Sequence, residues 1–171
     1  MMRNHKPLGK RFWLSDNGFT LIELLMVVII LGILAAVVIP QFSSSSEDAK
    51  VSALKSNLNS IRGALELYYV QHNSTYPDPN NFTDALLKYT DQSGNVSETK
   101  DETHKYGPYL KQGFPKNPIP QNEAKADQVE IDTTTSTIGT VSATEDADAA
   151  GWKYVAKTGE FIANHPDYDQ Y

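Results

Sequence analysis

Residues 19–40 read FTLIELLMVVIILGILAAVVIP, and the rest of the chain is organised around them. Leu, Ile, Val, Met and Ala dominate the run, and Glu23 is its only charged residue. A helix over 19–39 is about 31 Å long at the α-helical rise, close to the roughly 30 Å hydrocarbon core of a bilayer. The segment is therefore long and apolar enough to span a membrane. Glu23 is the anomaly. A carboxylate costs about 2.5 kcal/mol or more near the bilayer centre and less near an end, so a simple anchor has no use for it.

Outward from the run, the charge is uneven. Arg3, Lys6, Lys10 and Arg11 stand against Asp16 in residues 1–18, a net of +3, so of the formal −6 the remainder carries −9. A basic front end before an apolar span predicts a cytoplasmic N-terminus with the rest across the membrane. The acidic remainder speaks against nucleic acid as a partner. A secretory signal has its small-residue cleavage site after the apolar region. Here the run ends in Ile39-Pro40-Gln41-Phe42, whereas Gly18 stands just before it. A cut after Gly18 would remove the basic leader and keep the helix.

Gly18-Phe19-Thr20-Leu21-Ile22-Glu23, behind a short basic leader and ahead of an apolar helix containing Gly32 and Pro40, resembles the class III signal of type IV pilin-like proteins. The resemblance covers residues 10–42. It implies cleavage between Gly18 and Phe19 by a prepilin peptidase and N-methylation of Phe19. It also implies assembly of mature subunits into a helical filament. In such a family the Glu23 carboxylate is expected to pair with the N-terminal amine of a neighbouring subunit. Each charge alone is costly in low dielectric and much less so when paired. Gly32 and Pro40 weaken the helix, Pro40 by removing the bond to the Ala36 carbonyl and crowding that turn. The family implies a stretch between them that can extend inside the filament; a plain kinked membrane helix is the alternative.

Ser44 with Glu47 fits a capping box and predicts a helix restarting after the proline. Leu54, Leu58, Ile61, Leu65 and Tyr68 then recur at intervals of three and four, the stripe of an amphipathic helix. The ending Leu65-Glu66-Leu67-Tyr68-Tyr69 with Tyr76-Pro77 resembles that of the major pseudopilins of type II secretion, as does the spacing from Pro108-Tyr109-Leu110 to Phe114-Pro115-Lys116-Asn117-Pro118. Further on, 81–89 predicts a short helix and 91–105 an exposed, mobile loop. Tyr109, Leu110, Phe114 and Ile119 should pin a proline-rich segment to the core. Residues 129–132 and 137–141 predict short strands, and 152–156 with 159–163 a hairpin whose Trp152 and Tyr154 face the core. The tail, 164–171, is expected to be loosely held.

Glu145, Asp146 and Asp148 cluster just before Trp152. Closely spaced carboxylates supply the hard oxygens calcium needs, and an acid-rich loop before a Trp strand resembles the calcium loop of major pseudopilins. The loop lacks their fuller Asp/Gly pattern, with Ala149-Ala150 in place of part of it, and a solvated acidic loop is the alternative. No cysteine is present, so disulfides and thiolate metal sites are excluded. His5, His72, His104 and His165 are isolated, and the sequence has no P-loop, HExxH or Gly-x-Ser-x-Gly motif. A structural role is expected rather than an enzymatic one.

The sequence thus predicts an α+β, pilin-like fold: a long N-terminal helix, transmembrane in its first half, packed on a small antiparallel sheet. The divisions are a leader (1–18), a transmembrane and assembly helix (19–40), an amphipathic continuation (41–74) and a periplasmic globular domain (75–171). The resemblance implies a pseudopilin of a type II secretion system. Its partners would be copies of itself, other pseudopilins, an inner-membrane assembly platform and the prepilin peptidase. A type IV pilin for adhesion, motility or DNA uptake is the nearest alternative. A membrane-anchored binding or enzyme module using a pilin-type signal for export is a more distant one.

Overall fold

The structure, a computed structural model, describes residues 18–171; within its first helix the side chains of residues 39, 40 and 42–44 lie outside the described residues, as does the leader at 1–17. The chain forms two compact units that divide between Ser44 and Ser45. Helix α1 (Leu21–Gln71) contributes to both. No break follows Pro40. An internal proline forfeits one backbone bond and crowds one turn, and the turns on either side keep theirs. The capping box read at Ser44 and Glu47 rests on a side chain outside the described residues.

In the first unit, Leu21–Val38 has a mean hydropathy of 3.1 and none of it is buried. In the second unit the predicted stripe becomes the core. Leu54, Leu58, Ile61, Leu65 and Tyr68 are all buried. They meet Phe82 and Leu86 of α2 (Phe82–Leu87) and Trp152, Tyr154 and Phe161 of the sheet. Phe82 stacks on Tyr154 with ring centres 4.1 Å apart, and Trp152 lies 5.5 Å from Phe161. Tyr109, Leu110, Phe114 and Ile119 pack on this cluster. The buried polar ends are satisfied: Trp152 Nε1 donates to the Pro115 carbonyl (2.9 Å) and Tyr154 Oη to that of Pro77 (3.3 Å).

The main sheet has order β3-β4-β5, with β3 (Val129–Asp132), β4 (Trp152–Val155) and β5 (Phe161–Ala163). The predicted hairpin is present, pairing Trp152 with Ala163 and Tyr154 with Phe161. Its turn needs Gly159, whose φ is +76° and whose missing Cβ leaves room for the Tyr76 ring. The sheet is mixed rather than wholly antiparallel, since β3 runs parallel to β4. A parallel neighbour requires a long crossover, and residues 133–151 supply it. That crossover replaces the strand expected at 137–141. Gly139 has φ +79° there, and Thr140 Oγ1 donates to the Thr137 carbonyl (2.7 Å), which makes a turn.

Two other expectations are corrected. Residues 91–105 include half of a small hairpin, β1 (Tyr89–Thr90) with β2 (Val96–Ser97). Asp91 closes its turn, accepting from the Ser93 and Asn95 amides (2.8 and 2.9 Å) and from Asn95 Nδ2 (2.7 Å). The tail is docked. Asn164 is fully buried and bonds Gly151, Thr144 and Glu130, while Arg62 donates to the backbone oxygen of Tyr171 and Lys55 Nζ lies 4.0 Å from the Tyr171 ring centre.

Candidate functional site: the start of helix α1

Gly18, Phe19 and Thr20 precede the helix without helical structure, and all three are exposed. Phe19 is 79% exposed. The Gly18–Phe19 peptide bond therefore lies in exposed, non-helical backbone.

Thr20 is the N-cap of α1 and Glu23 stands three residues on. Thr20 Oγ1 accepts from the Glu23 amide (3.2 Å), while the Thr20 amide and hydroxyl each donate to Glu23 Oε2 (2.8 Å both). The arrangement is a capping box, in which each residue satisfies the other's backbone N–H. A carboxylate in the first turn also faces the positive end of the helix dipole. The Thr-x-x-Glu spacing in residues 20–23 was the signal for this box. Glu23 thus has a partner within its own chain. Both bonds fall on Oε2, so Oε1 is not part of the box.

Gly32 lies in the exposed part of α1 with nothing within 4 Å of where a Cβ would be. Pro40 lies in the same helix, with its side chain outside the described residues. Among the described residues, then, the structure brings together Gly18, Phe19, Thr20 and Glu23 at one helix end. Gly32 and Pro40 are further along the same element.

The acidic loop is arranged differently from a cation site. Asp148 Oδ2 accepts from Lys125 Nζ (2.7 Å) and Asp148 Oδ1 from Asn122 Nδ2 (3.0 Å). Asp146 Oδ1 accepts from the Asp148 amide (2.8 Å). The Lys125 ammonium holds the Asp148 carboxyl below the usual carboxylate range. Among the described residues no three His, Cys, Asp or Glu side chains group to hold a metal ion. As placed here, the carboxylates of Asp146 and Asp148 are engaged by donors of their own chain. His72 is structural. Its ring stacks on Tyr68, Nδ1–H donates to the Tyr68 carbonyl (2.8 Å) and Nε2 meets Thr90 Oγ1 (3.0 Å).

Sequence comparison places these observations among known proteins. Residues 13–39 match the prokaryotic N-terminal methylation motif, and residues 41–149 match the family described as type II secretion system protein G. The type II secretion system core protein G of Pseudomonas aeruginosa is 46% identical over 74 residues, 43% of this chain and 51% of that protein. Its namesake in Klebsiella pneumoniae is 33% identical over 103 residues, covering 60% of this chain and 69% of the relative. That of Vibrio cholerae is 34% identical over 106 residues, covering 61% and 66%. The matched stretches thus span from about half to about two thirds of the length of these relatives. No solved structure matches.

Proposed function

This chain belongs to the type II secretion system protein G family, and from that premise we propose that it is a structural filament subunit, a pseudopilin anchored in the inner membrane before it polymerises. The observation that carries the proposal is Leu21–Val38. It is strongly apolar and unburied among the described residues, which calls for cover by lipid or by other copies. Lipid covers it first. Other copies of the same helix then replace lipid as the subunit is drawn into the filament.

Processing comes before assembly. A prepilin peptidase cuts between Gly18 and Phe19 on the cytoplasmic side, and methylation of Phe19 follows. The basic leader favours that orientation and leaves the second unit in the periplasm. The new Phe19 ammonium and Glu23 are then two charges at one helix end. The capping box supplies Glu23 with donors in the monomer, which lowers the cost of carrying it at the membrane edge. On assembly Glu23 exchanges or extends that contact to the amine of a neighbour, and the exchange sets the axial register.

Two substitutions separate the cap from the charge. Glutamine can serve as the third residue of a capping box, and alanine cannot. Both Glu23→Gln and Glu23→Ala should insert and be cleaved, and both should be lost from filaments recovered by shearing. Glu23→Gln assembling like the unaltered chain would show that the cap, and not the charge pair, is what assembly requires.

A further inference from the structure

The loop 142–151 has the composition of a cation loop, yet its best-placed acceptors are filled by the chain's own donors. Lys125 Nζ donates to both Asp148 Oδ2 (2.7 Å) and the Asp148 main-chain carbonyl (2.8 Å). Asn122 Nδ2 takes the remaining carboxylate oxygen at 3.0 Å. Carboxylate oxygen together with main-chain carbonyl is the donor set that a hard divalent cation uses. At the other end of the loop, Lys153 Nζ reaches Thr144 Oγ1 (3.1 Å) and Glu130 Oε1 (3.3 Å).

Lys125 is held at this position by the backbone. It ends a short 3₁₀ helix (Glu123–Lys125) that is capped by Asn122 Oδ1 on the Ala124 amide (2.9 Å). The Lys125 carbonyl accepts from the Gly151 amide at 2.8 Å, and the Ala126 carbonyl accepts from the Asn117 amide at the same distance. A Cβ at Gly151 would collide with the Ala126 backbone. The end of the loop therefore lies directly on the turn that carries Lys125, and the ammonium is built into the joint.

We propose that the Lys125 ammonium is the resident cation of the 142–151 loop, standing where the family resemblance implies a divalent ion, so that this fold closes without calcium. The proposal rests on the geometry of the second unit and not on the filament reading. A tethered cation cannot be removed by a chelator or displaced by dilution. Stability of the chain should therefore be indifferent to calcium supply. Because Asp148 is largely solvent-facing, the contact is a modest one.

The test uses the full chain in detergent micelles, with melting followed by tryptophan fluorescence in a chelator and in millimolar calcium chloride. The unaltered chain should melt at the same temperature in both. Lys125→Met should melt lower in chelator by about 2–5 °C, the shift expected for losing a modest contact in a domain of this size. Lys125→Arg should restore most of that loss. A calcium-dependent rise in the unaltered chain would overturn the proposal, as would Lys125→Met melting like the parent in chelator. If Lys125→Met does not fold, the calcium response of the unaltered chain decides alone.

Discussion

Glu23 carries two bonds from Thr20 in the isolated chain, and that local geometry changes what the residue has to do. An acid at the start of a spanning helix looks costly when only its charge is counted. As the third residue of a capping box it stabilises its own helix, so its presence is compatible with the subunit waiting in a membrane. A second carboxylate makes a prediction outside the membrane. Asp132 accepts from the hydroxyls and amides of Thr135 and Thr134, which hold its pKa well below the usual carboxylate range. A depressed folded pKa stabilises fully above the unfolded value and loses that contribution as pH falls towards the folded one. Melting temperature should be flat in this contribution above about pH 5 and should fall below about pH 4. In Asp132→Asn the acid limb should be shallower, which a series of melts across that range would detect.

At the scale of elements, the second half of α1 is the scaffold of the globular unit. Leu58 is 1% exposed, and Leu58→Ala should cost about 2–5 kcal/mol in urea unfolding. Arg62 is the other stake in that helix. Its Nε donates to the Phe161 carbonyl (2.9 Å) and its second donor group to Tyr171, so it ties β5 and the tail to α1. Arg62→Met strands two backbone oxygens, those of Phe161 and Tyr171, and should cost about 1–3 kcal/mol, with the tail becoming cleavable by limited proteolysis. The contrast between these two residues also explains what the sequence could reveal. The Leu54-to-Tyr68 stripe, the Trp152 hairpin and the pinning residues of 108–119 are local patterns whose period or turn chemistry is visible in the chain. The parallel placement of β3 and the docking of the tail are not local. They depend on a crossover through 133–151 and on Arg62 reaching residues far along the chain. The β1–β2 hairpin escaped notice because its strands are too short for alternation to appear, and a single Asp91 side chain organises its turn. At the functional end, Gly18, Phe19 and Glu23 stood out as a motif, while the Thr20–Glu23 box, whose Thr-x-x-Glu spacing is visible in the chain, was hidden by reading Glu23 only as a charge in a membrane span.

At the scale of the whole molecule, the chain joins an apolar helix that none of the described residues covers to an acidic globular unit with a core of its own. The first unit cannot remain in water and the second has no reason to leave it, which is the division of labour a membrane-anchored filament subunit needs. The central claim is that the helix from Phe19 onward serves first as an anchor and then as the inside of a filament, after the leader has been removed. The most direct measurement is the intact mass of the chain recovered from the sheared filament fraction of cells carrying the secretion assembly machinery. The account predicts that the chain is present there, that it begins at Phe19 and that it bears one methyl group on the terminal amine. A chain found only in the membrane fraction, or one that reaches the filament with residues 1–18 still attached, would contradict it.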